Sequence, residues 1–151
     1  MRKNLFLPLF LFLLLSACMA TTRPSKMVPD KLKIVSINVS KDVESIPDAA
    51  VTKLKTAIET AIAARKLTGD EASLEVKIIR LNVQSGTQAW ASMLTNANRL
   101  YLMVSVNSQE RGPVVTFEVQ REEPPAASGV IGDSWGALMN GAALTIANQF
   151  R

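Results

Sequence analysis

Histidine is absent from this 151-residue chain, and cysteine occurs once, as Cys18. Without histidine the commonest general base near neutral pH is missing. So are the usual activator of a serine or cysteine nucleophile and the commonest zinc ligand. A serine–lysine or carboxylate mechanism needs a supporting spacing, and none is found. The chain is therefore read as a non-enzyme, with no catalytic residue, no metal and no cofactor. A lone cysteine cannot close an internal disulfide, so stability must come from packing. Aromatic residues are few, with one Tyr and two Trp. No repeat recurs at a fixed period. The longest apolar run, Leu5 to Leu15, is broken only by Pro8. As a helix it measures roughly 16 Å, about half the hydrocarbon core of a bilayer, which excludes a spanning segment.

What is present begins with the context of that run. Arg2 and Lys3 precede it, and Leu15-Ser16-Ala17-Cys18 ends it. A basic start, a short apolar stretch and small residues make a secretory signal. The four-residue string resembles the lipobox of bacterial lipoproteins. That resemblance implies an S-diacylglyceryl group on Cys18, cleavage of a signal peptide (residues 1–17) between Ala17 and Cys18, and N-acylation of the new amino terminus. Acyl burial contributes about 0.8 kcal/mol per methylene, so one chain holds marginally and two or three hold firmly. Residue 19 is Met rather than Asp. By the sorting rule of enteric lipoproteins this implies the outer membrane, periplasmic face, with inner-membrane retention as the alternative.

Loss of Arg2 and Lys3 with the signal leaves 15 basic against 13 acidic residues, a net +2 in place of +4. Such scattered charge offers no footprint for nucleic acid. Residues 18–30, with two prolines and no apolar period, read as the lipidated cysteine and a flexible tether. Residues 31–151 read as one globular domain.

Within that domain, 31–40 reads as a strand with Val35, Ile37 and Val39 on one face. Residues 47–67 read as an amphipathic helix with Pro47 and Asp48 in its first turn. Val51, Leu54, Ile58, Ala61 and Ile62 form its stripe, and Gly69 its stop. Residues 72–83 read as a strand whose apolar parity changes at Ile78-Ile79, signalling a bulge or a strand buried on both faces. Residues 99–108 and 113–121 read as two strands joined through "QERG", with Gly112 free to take a positive φ. The last helix starts at an Asp133 cap and carries Trp135, Leu138, Met139, Ala142, Ile146 and Phe150. A second stripe, Gly136, Asn140, Ala143 and Ala147, permits close approach of a neighbour. It serves either docking within the domain or a homo-oligomer seam. The expected fold is α+β, strand-helix-strand-strand-strand-helix. It is a mostly antiparallel or mixed four-stranded sheet with two helices on one face.

Two connections stand out, one of 14 residues that is longer than packing needs and one rich in proline and glycine. The 85–98 segment carries Trp90, Met93 and Leu94, either as a cap on the sheet edge or as an exposed tip for a partner or a lipid surface. The 121–133 segment carries Glu122 and Glu123, which on a strand would point to opposite faces and read as solvated charges. "TGDEASLEVKIIRL" leading into a strand, and Gly132-Asp133 before the last helix, resemble small proteobacterial lipoproteins of unknown function. That resemblance implies a non-catalytic accessory or assembly component of an envelope machine, anchored to the membrane and holding a protein partner. A small-ligand or lipid-binding lipoprotein is the alternative.

Overall fold

Leu74, Val76 and Ile78 alternate with Glu75 and Lys77, and this period of two makes a strand with one apolar face. The computed structural model describes residues 28–29, 31–83, 98–123 and 136–150. In chain order the elements are β1 (Leu32–Lys41), α1 (Asp48–Ala63), β2 (Asp70–Asn82), β3 (Asn98–Ser108), β4 (Gly112–Glu123) and α2 (Gly136–Ala147). The sheet order is β1-β2-β3-β4. β1 lies parallel to β2, and the other two pairings are antiparallel. The parallel pair requires a crossover, which α1 supplies. Both helices pack together, α1 against β1 and α2 against β3 and β4, so they share one face of the sheet. This is the expected α+β arrangement.

Strand polarity gives the sheet two distinct ends. Leu32, Asp70, Ser108 and Gly112 line one end; Ile78, Lys41, Asn98 and Glu123 lie toward the other. Arg65, just past α1, donates to Asn148, just past α2, so both helices finish at the first end. There Asp70 N–H donates to Lys31 C=O (2.9 Å). A Cβ on Gly69 (φ +130°) would stand 2.0 Å from the Lys31 carbonyl oxygen. That approach, more than any helix-stopping role, requires glycine at 69.

The core lies between sheet and helices. Leu54, Ile58, Leu74, Ile78, Leu100, Leu102, Val104, Val106, Leu138 and Ile146 are essentially fully buried. Val28, within the stretch expected to be tether, is buried with them.

Several expectations need correction. Val35 is 42% exposed, because the β1–β2 register slips between Ile34 and Ser36 and pushes it out of the ladder. Ile34, Ile37 and Val39 turn toward the core instead. α1 ends at Ala63, not Leu67; the chain leaves the helix at Ala64 and Lys66 takes φ 49°. Ala50 takes a core place, while Val51 and Ala61 are only half-buried. The parity change in β2 is a bulge: the register with β3 shifts between Ile78 and Arg80, leaving Ile79 exposed. Gly112 takes φ +73° at the β3–β4 turn, where Ser108 Oγ accepts from the N–H groups of Glu110 and Arg111.

Candidate functional site

Each strand sends alternate side chains away from the helices, and these form the open face of the sheet. Across it run Ser40, Lys77, Met103 and Glu118 in one row, and Asn38, Glu75, Ser105 and Thr116 in the next. The polar members bond sideways. Ser105 and Thr116 hydroxyls are 3.0 Å apart, Gln120 Nε2 donates to Glu122 Oε1 (3.0 Å), and Arg99 pairs with Glu122 (3.0 Å). Amid them the Ile79 bulge, Tyr101 and Met103, with Val43 from the β1–α1 loop, line a shallow concavity of about 560 Å³. Its rim carries Arg80, Glu118 and Gln120.

On the opposite side of the molecule, α1 and α2 leave a groove of about 660 Å³. Ala57, Ala61 and Ala64 form one wall; Gly136, Met139 and Ala143 form the other. Small side chains leave the helix surfaces low, which is why the groove exists. Leu144 stands at its rim, 55% exposed. Of the small-residue stripe, Ala143 and Ala147 are buried within the domain, Ala143 at the floor of the groove, while Gly136 and Asn140 keep exposed area along it. The stripe thus serves internal docking first.

Gly141 has its own reason. A Cβ there would lie 2.6 Å from Arg121 Nε, so the guanidinium rests against the helix backbone. Arg121 Nε donates to Glu123 Oε1 at 2.8 Å. Glu123 is therefore not a solvated charge: its side chain is 15% exposed, tucked toward α2, while Glu122 pairs on the open face. The two carboxylates do point to opposite faces.

The β1–α1 turn is held by Lys41. Its Nζ donates to Ile46 C=O (2.9 Å) and meets Asp48 Oδ1 at 3.0 Å. The hydrogen bond that Lys41 donates to Asp48 holds its ammonium above the ordinary lysine pKa, against a smaller opposing effect of burial. This pair anchors the start of α1, whose Pro47 cap contributes no side-chain bond.

Cys18, Ala17, Trp90, Met93 and Leu94 lie outside the described residues, as do Asp133 and Trp135. Of the described surfaces, the sequence marks only part of one, the small-residue stripe of α2 that borders the groove. The Ile78-Ile79 parity change did mark the bulge that puts Ile79 on the open face. The groove had no signal beyond the alanines of α1 and the small stripe of α2. Among the described residues no group of three metal-ligating side chains gathers, and no helix is long and apolar enough to cross a membrane.

No protein-family model matches the chain, and no curated protein matches it. Among solved structures, a PelC dodecamer from Paraburkholderia phytofirmans is similar in fold, with a TM-score of 0.54 and 12% identity. It covers 82% of this chain and 95% of that one. A minor lipoprotein from Acinetobacter baumannii overlaps 76% of this chain and 87% of that one, at 13% identity and a TM-score of 0.34.

Proposed function

We propose that the protein is a lipid-anchored, non-catalytic component of the bacterial envelope that works by assembling with other protein, including copies of itself. The Leu15-Ser16-Ala17-Cys18 string carries the anchoring half of this reading. On this reading the lipid is carried by Cys18, and Met19 in place of Asp favours the periplasmic face of the outer membrane over inner-membrane retention. Trp90, Met93 and Leu94 remain candidates for the partner contact. The assembly half is supported by the helix groove with Leu144 exposed at its rim. The dodecameric state of a protein sharing this fold supports it by analogy of architecture alone.

Two measurements test it. Metabolic labelling with a clickable fatty acid should mark the wild type and not Cys18→Ala, which should accumulate as precursor; equal labelling would end the lipoprotein reading. Native mass spectrometry of the mature protein in detergent should show a closed oligomer. Leu144→Asp should reduce it to monomer without changing the circular dichroism spectrum, because position 144 lies outside the core. A wild type that is monomeric at all concentrations removes self-assembly from the proposal.

A further inference from the structure

The lipid anchor and the strand polarity together constrain how the domain stands on its membrane. Val28 is 2% exposed and packed in the core, so the folded domain reaches back at least to it. From Cys18 to Val28 is ten Cα–Cα steps, at most about 36 Å when fully extended. It enters the domain beside Lys31 and Leu32, at the end of the sheet that also carries the β3–β4 turn. β2, at 13 residues, separates that end from the other by about 43 Å.

Resting the far end on the lipid surface would lift Val28 by nearly the length of the sheet. Ten steps reach at most about 36 Å, short of the roughly 43 Å that β2 spans, so a lipid on Cys18 could not stay in the membrane in that pose. Resting the near end on it requires no extension. We infer that the β3–β4 turn faces the anchoring membrane, and that the β1–α1 turn, with the ends of β2 and β3 beyond it, faces away. The inference rests on lipidation at Cys18.

The chain supplies its own control, because its one cysteine is consumed by the lipid. A cysteine introduced elsewhere is then the sole free thiol. Gln109→Cys, in the β3–β4 turn, and Ser45→Cys, in the β1–α1 turn, are both exposed positions. Each full-length variant is lipidated in cells, labelled with bimane, and reconstituted into phosphatidylethanolamine–phosphatidylglycerol vesicles containing a headgroup-nitroxide phosphatidylcholine. Bimane at 109 should be quenched several-fold more than bimane at 45. Equal quenching, stronger quenching at 45, or none at either position overturns the orientation. Intact mass of the vesicle-bound protein separates the two readings. A missing diacylglyceryl adduct overturns the lipoprotein assignment, and this inference with it. A present adduct with unequal quenching of the wrong sign overturns the orientation alone.

Discussion

Leu102 and Met103 are neighbours on β3, yet they belong to different physical regimes. Leu102 turns to the helices and is 1% exposed; Met103 turns to the open face and is half-buried among Lys77, Glu118 and Tyr101. The same holds along every strand. On the covered face aliphatic side chains meet aliphatic side chains, and each removes apolar area from water at about 25 cal/mol per Å². On the open face polar side chains satisfy one another laterally, in water, where such contacts contribute little. The backbone is common to both, so the difference teaches that cohesion is concentrated on one side and that the other side is free to vary.

Four experiments bear on that contrast. The largest effect is expected from Ile58→Asp, which sets an unpaired carboxylate into the fully buried seam between α1 and the sheet. It should cost several kcal/mol and leave the chain largely unfolded by circular dichroism. A cooperative melt near the wild-type temperature would mean that the covered face is not the core. Next come the adjacent pair. Leu102→Ala should lose about 2–5 kcal/mol in urea titrations, and Met103→Ala less than about 1 kcal/mol. Equal losses would erase the distinction between faces. Ile79→Thr, on the exposed bulge, should stay within roughly 0.5 kcal/mol of wild type.

The smallest effect concerns a charged side chain at the margin of the covered face. Lys41 is held protonated by Asp48, so its folded pKa lies above its unfolded value of 10.5. Its contribution is complete below that value and is lost as pH rises through the raised pKa. The melting-temperature gap between wild type and Lys41→Met should therefore narrow when pH is raised from about 9 to about 12. A gap independent of pH would show that Lys41 acts through packing of its methylenes alone.

Element order and the sheet-facing residues were legible in the sequence because burial imposes a period of two on strands and about 3.6 on helices. The bulge in β2 was legible for the same reason, since Ile78 and Ile79 cannot both obey one parity. The bulge in β1 was hidden. Val35, Ile37 and Val39 keep perfect alternation, and only the pairing with β2 reveals that Val35 is the residue pushed out. Glu123 was misjudged because its partner, Arg121, is turned toward α2 by a glycine whose role appears only when the helix is in place. The helix groove was illegible in principle: alanine has the same composition on a packed face and on a hollow one. Single positions follow from local pattern, while surfaces follow from which elements are neighbours.

The mixed sheet also implies an order of events during folding. β3 and β4 meet through three residues, Gln109 to Arg111, so their registration closes a very short loop. Pairing β1 with β2 must wait for the chain to traverse all of α1 and bring Leu32 beside Asp70. Loop closure of that length costs entropy before any contact rewards it, so the hairpin belongs to the nucleus and β1 docks late. The strand nearest the amino terminus is then the last to lose its freedom. Substitutions in β1 should accelerate unfolding, and those in the β3–β4 hairpin should slow refolding.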